Sequence, residues 1–280
     1  MKKQIAFLLS MIILLASCSS GEVSNPSVAF EYSNIMNAEI QEFTSNLLSR
    51  NGVAQDSIDT VLSFIRDFYN GYENIVENGW VSIDLEDFYY DFDDALNHWE
   101  SKERDRIDMN CRNIAYILTK DIIAFDTNAL INEAKDEYTL PILQSAIYLS
   151  DAETRKYSAV FGDIESTALD KDSWIDNILS YRKEFEIEFD DNATIKLLCL
   201  YIQPPSSSSA QVAHAAVVVE ENDYCYLIEK YDPMYPYQIS KFASISDLVS
   251  YIYADRCSRE RIGETTNYIV MINNEHFSIW

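Results

Sequence analysis

A chain of 280 residues with 46 acidic and 21 basic side chains has a formal net charge of −25. So acidic a surface repels phosphate backbones and anionic headgroups, which argues against nucleic acid as a partner and against electrostatic attachment to lipid. Hydrophobic residues at 48% and aromatic residues at 13% are too many for a disordered chain, and the six glycines form no glycine-rich phosphate loop.

Lys2 and Lys3 precede an apolar run from Ile5 to Leu15, followed by Leu15-Ala16-Ser17-Cys18. The run is too short to span a bilayer and ends in small residues, so residues 1–17 read as a targeting signal. It resembles a bacterial lipoprotein signal. That resemblance implies cleavage before Cys18, acyl chains on that residue, and an extracytoplasmic protein anchored by lipid to the outer face of a membrane. Loss of residues 1–17 removes two lysines and no acid, which takes the net charge from −25 to −27. Residues 18–28 are small and polar enough to form a flexible tether, and residues 29–280 are expected to form one globular domain.

Within that domain, Ile40, Phe43, Leu47 and Leu48 recur at helical spacing between Asn34 and Arg50, and Asn51-Gly52 supplies a stop. A second helix, capped by Ser57, carries Val61, Phe64, Ile65, Phe68, Tyr72 and Ile75 as its apolar stripe and ends at Asn78-Gly79. The acidic aromatic stretch between Trp80 and Trp99 lacks the mid-loop glycine and terminal glutamate of a calcium loop, so no metal site is assigned. Next, Asp108 or Asn110 can cap a helix whose first turn holds Cys111, with Ile114, Ala115 and Leu118 on the same face. Residues 128–160 and 172–182 read as further helix. The period then changes. Strands are expected at 195–202, 214–219, 224–230, 237–242 and 268–272, a helix at 245–253, and a solvent loop at Gln203-Pro204-Pro205 and the serine run after it. Residues 29–190 are thus mainly helical and residues 191–280 mainly antiparallel sheet, an α+β order.

A helix N-terminus favours negative charge, so Cys111 occupies a position that lowers a thiol's pKa, although a cysteine on an apolar face also serves as a small buried hydrophobe. His214 opens a strand whose hairpin partner carries Glu229. With a four-residue loop at 220–223, Glu229 lies across from His214; with a two-residue Asn222-Asp223 turn, it pairs with Ala216 and still points to the face of His214. Either way the carboxylate can hold one imidazole nitrogen while the other faces a thiol. A cysteine nucleophile, a histidine base and an orienting group form the minimum set for acyl transfer. The plainer alternative makes His214 a half-buried strand residue and Glu229 a solvent-side partner of Lys230 or Lys241. His98 and His276 lack such surroundings. Cys199, Cys225 and Cys257 match no zinc spacing and permit one disulfide. Nothing in the sequence calls for a metal or an organic cofactor.

A helical segment, a cysteine at a helix start, and then a sheet with a histidine opening one strand and a polar residue on the next is similar to the papain-like superfamily, including NlpC-type peptidoglycan hydrolases and transglutaminase-like domains. More narrowly, Asp94 to Trp99, Asn110-Cys111-Arg112, and His214 through Glu229-Lys230 to Pro236-Tyr237-Gln238 with Lys241-Phe242 resemble a domain-of-unknown-function family (4300) of bacterial lipoproteins. The papain-like resemblance implies Cys111 as nucleophile, His214 as base and Glu229 as orienter. No glutamine stands shortly before Cys111 to complete a papain-style oxyanion hole, so Asn110 or Asn97, with Gln238 as a more distant candidate, would have to supply it. Trp99 and Tyr237 are candidates to line the cleft. The expected activity is that of a cysteine amidase or peptidase acting on peptide or peptidoglycan amide bonds. The competing class is a non-catalytic binding lipoprotein on the same scaffold, whose acidic surface would favour a basic protein partner.

Overall fold

The computed structural model describes residues 28–70, 79–101, 108–125, 139–165, 171–203, 208–231, 234–257 and 267–277. The targeting signal, Cys18, nearly all of the tether, the stripe residues Tyr72 and Ile75, and the proline-serine loop from 204 to 207 lie outside the described residues, as do the side chains of Trp99 and Cys257. In chain order the elements are β1 (Ala29–Asn34), α1 (Ala38–Arg50), α2 (Gln55–Tyr69), β2 (Val81–Asp84), α3 (Phe92–Ser101), α4 (Cys111–Thr119) and β3 (Ile123–Ala124). They continue as α5 (Thr139–Ala146), α6 (Asp151–Phe161), β4 (Ile164–Glu165), α7 (Lys171–Glu184), β5 (Glu188–Phe189) and β6 (Ile195–Gln203). Last come β7 (Ser209–Glu221), β8 (Tyr224–Lys230), β9 (Tyr237–Phe242), α8 (Ile245–Tyr251), β10 (Asn267–Ile272) and β11 (Glu275–Phe277).

The architecture is α+β. A large antiparallel sheet runs β11-β10-β6-β7-β8-β9-β1-β2, with β4 added against β7. Its strands alternate between two faces, with one break of register in β7, and both faces are covered. Leu197, Cys199, Val217, Val219, Ile228 and Ile239 point into a core shared with α1, α2 and α4. Leu198, Leu200, Ala216, Val218, Leu227 and Phe242 point the other way, against α8 and the aromatic residues Phe30, Phe88 and Tyr90. Runs such as Leu197-Leu198-Cys199-Leu200 are therefore continuous in apolar character because neither face meets water.

Several local expectations change. Phe30 and Tyr32 alternate with Glu31, so the chain enters as a strand between β9 and β2 and not as part of the helical half. Ser57 is buried inside α2, whose N-cap is Ala54 and has no side-chain bond, because the helix begins one turn earlier than the serine suggests. The long helical stretch breaks at Ser150, which accepts from the Glu153 N–H while Glu153 accepts from the Ser150 N–H, a capping box that starts α6. Cys199 and Cys225 are both free thiols on opposite faces of the sheet, so neither forms the disulfide that the spacing permits.

The β7–β8 hairpin takes the tight alternative. Glu221 pairs with Tyr224 and Val217 with Ile228, leaving Asn222-Asp223 as the turn, with φ of 52° and 65°. Positive φ at both central positions matches the right-handed strand twist and costs a non-glycine residue about 1 kcal/mol. Asp223→Gly should therefore raise the midpoint of thermal unfolding by a few degrees, equivalent to roughly 0.5–1 kcal/mol, as read by calorimetry.

Candidate functional site

Three elements bring the site together. Asn110 is the N-cap of α4: its side-chain oxygen accepts from Asn113 N–H at 3.1 Å, and its own N–H donates back to the Asn113 side-chain oxygen at 3.2 Å. The cap fixes the first turn and leaves Cys111 at its head, half-buried. Helix α4 packs on β6, β7 and β8. Arg112 donates to the Val212 carbonyl of β7 at 2.5 Å, tying the same turn to the strand that carries His214.

The β7–β8 pairing stops at Val217–Ile228, although both strands run on. Beyond that point His214 and Glu229 meet: His214 Nε2–H donates to Glu229 Oε2 at 2.6 Å, with His214 4% and Glu229 1% exposed. An imidazole has two nitrogens, so this bond commits Nε2 and leaves Nδ1 for the thiol. Cys111 is hydrogen-bonded to the His214 side chain and accepts from the Ala215 N–H. Burial alone would push the thiol up. The His214 hydrogen bond and charge, the Ala215 N–H and the Arg112 charge outweigh it, and the Cys111 pKa lies below the ordinary thiol value. Cys199 and Cys225 have no such compensation, and burial pushes both up to about 11.

Glu229 is held from behind by a chain of donors that all point toward it. Asn34 Nδ2 donates to the Tyr90 hydroxyl at 2.7 Å, and Tyr90 donates to Gln238 Oε1 at 2.7 Å. Gln238 Nε2 donates to Tyr251 at 3.4 Å and to Ser240 Oγ at 2.6 Å, and Tyr251 donates to Glu229 Oε1 at 3.2 Å. Gln238 is therefore not an oxyanion donor. Both ends of its amide are spent in this buried network, because Gln238 pairs with Glu229 in register and shares its face. Asn110 commits its side-chain oxygen, but not its amide nitrogen, to the cap, and Asn97 is exposed on α3.

On the opposite face of β8, Lys230 is fully buried. Its ammonium lies 2.8 Å from Asp108 Oδ2, 3.4 Å from the centroid of the Phe68 ring and 4.1 Å from that of Tyr237. Tyr237 donates to Asp108 Oδ1 at 2.6 Å. Asp108 thus anchors the approach to Cys111, whereas Asn110 does the capping. Tyr237 is a core residue at 1% exposure and lines no cleft. The plainer reading of Glu229 as a surface partner of a lysine does not hold, since Lys230 pairs with Asp108 and Lys241 with Glu31.

A family model described as "Domain of unknown function (DUF4300)" matches residues 31–277. No curated protein and no solved structure matches the chain significantly.

Two outcomes follow from this geometry. Iodoacetamide labelling with peptide mapping should find Cys111 alkylated first, along a profile that rises at a pH below the roughly 8.5 of a free thiol, with Cys199 and Cys225 unreactive over that range. Lys230→Met takes the ammonium from the buried Asp108 carboxylate and should cost about 3–5 kcal/mol in denaturant unfolding, whereas adding Asp108→Leu should return most of that loss.

Proposed function

The chain belongs to the DUF4300 family, and from its own site we propose that it is a cysteine amidase or peptidase anchored to the outer face of a membrane by a lipidated Cys18. The observation that carries this reading is the Cys111–His214–Glu229 array, in which the carboxylate holds one imidazole nitrogen and the thiol is bonded to the same ring. The leader resembles a lipoprotein signal, and extracytoplasmic placement makes peptide or peptidoglycan amide bonds the accessible substrates.

The chemistry runs as follows. The Cys111 thiolate attacks the amide carbonyl carbon, and the carbonyl oxygen takes up negative charge beside the backbone N–H of Cys111 at the N-terminus of α4. The C–N bond breaks as the His214 imidazolium gives its proton to the departing amine. Water, deprotonated by His214, then cleaves the thioester and restores the thiol. Glu229 stays ionised throughout, orienting the ring and stabilising its charged form.

The test is release of new amines from isolated peptidoglycan stem peptides by the purified full-length chain, followed by amine labelling. The native chain should release them, Cys111→Ala and His214→Ala should fall to background, and Glu229→Gln should lower kcat by about 10²-fold or more. Release that is equal in the native chain and Cys111→Ala, or absent from both across a panel of peptide amides, overturns the reading in favour of a binding lipoprotein.

A further inference from the structure

Strand β7 contains one residue too many. Leu200 pairs with His214, but its neighbour Tyr201 pairs with Val212, so Ala213 is the extra residue of a β-bulge. The bulge reverses which residues face the helices: Ala210 and Val212 do so before it, and Ala215, Val217 and Val219 after it. His214 thereby shares the face of Ala216 and Val218, the face on which Glu229 lies. Were the extra residue to move one place, from Ala213 to His214, the ring would leave the ladder position that aims it at the carboxylate. A bulge has no side-chain pairing of its own to stop such migration, so its position needs an outside constraint.

Arg112 supplies one. It is the residue next to the nucleophile, and its guanidinium donates to the Val212 carbonyl, the last regular position before the bulge. We propose that Arg112 is a positioning residue: it fixes the bulge at Ala213 and so sets His214 against Cys111, coupling the helix that carries the thiol to the strand that carries the base. This rests on the Cys–His–Glu reading above but goes beyond it. Arg112 also contributes positive charge to the thiol, alongside His214 from β7, while Cys199 lies nearby on β6. The test must therefore separate a direct effect of charge from an effect exerted through His214.

A double-mutant cycle does this, reading the alkylation pH profile of Cys111 in the full-length chain for native, Arg112→Met, His214→Ala and the double variant. If Arg112 acts through His214, Arg112→Met raises the apparent Cys111 pKa by about one unit, a roughly tenfold loss of thiolate at neutral pH. The same substitution then has little effect once His214 is alanine, and Arg112→Lys, which still reaches the carbonyl, recovers most of the native profile. Should Arg112→Met not fold, Arg112→Gln, too short to span to Val212, carries the same expectation. An equal shift with and without His214 reduces Arg112 to a nearby charge and overturns the proposal. If His214→Ala alone raises the Cys111 pKa while Arg112→Met leaves that rise intact, only the positioning role falls. If His214→Ala changes nothing in the native chain, the catalytic reading falls with it.

Discussion

Burying Glu229 is the constraint on which the rest of the site depends. An uncompensated carboxylate in a protein interior costs several kcal/mol, so each oxygen must be satisfied by a donor held in place. His214 serves one oxygen and Tyr251 the other. Behind Tyr251, the donors Gln238, Tyr90 and Asn34 are drawn from β9, the segment before α3, and β1. Burial pushes Tyr90 well above its ordinary pKa, against the pull of its bond from Asn34, so it remains a donor and the chain keeps one direction. Aligned donors polarise one another, and they converge on the buried carboxylate at their end. The N-terminal strand, far from Cys111 in sequence, is in this sense part of the same site.

The second face of the sheet obeys the same logic with the opposite sign. Alternation along β8 sends Glu229 to one layer and Lys230 to the other, where an ammonium is enclosed by two aromatic rings and a single carboxylate. A buried pair of this kind contributes little net stability, but it is selective about where its members sit. Because Asp108 lies three residues before Cys111, the pair fixes the path by which the chain enters α4. Two adjacent residues of one strand thus govern both halves of the site, one through His214 and the other through the approach to Cys111.

Much of this was legible in the sequence. The strands near 195–203, 224–230, 237–242 and 267–272 needed only apolar runs and turn residues, but β7 begins at Ser209, so His214 lies inside that strand and does not open it, and β11 was not foreseen. The shared face of His214 and Glu229 survived the choice between two hairpin turns because the choice shifts pairing by two residues, an even number. Residue type narrowed the cap of α4 to Asp108 or Asn110, and the structure selects Asn110. What could not be read is of two kinds. The bulge at Ala213 leaves no mark in composition, since counting extra residues requires knowing both partners of the ladder. The support for Glu229 joins residues far apart in the chain, 148 positions in the case of Tyr90 and Gln238, and long tyrosine side chains among many others give no signal of which hydroxyl meets which amide. Gln238, a distant candidate for the oxyanion hole on sequence alone, is instead a buried link between Tyr90 and Tyr251.

The Glu229–Lys230 alternation also bears on when the thiol becomes reactive. A one-residue slip of β8 would send the carboxylate among the helices and the ammonium toward His214, placing two buried ions without partners, so misregistered forms are strongly disfavoured. Asp108 and Lys230 stand 122 residues apart, and Arg112 and Val212 stand 100 apart, so the contacts that tie the start of α4 to the sheet, unlike its local cap, do not form as the chain emerges. A nascent or partly unfolded molecule carries only an ordinary thiol, slow to react with anything it meets. The surroundings that lower the Cys111 pKa are complete only when the last strands are in register, so the thiol's altered acidity is a property of the finished fold and of nothing that precedes it.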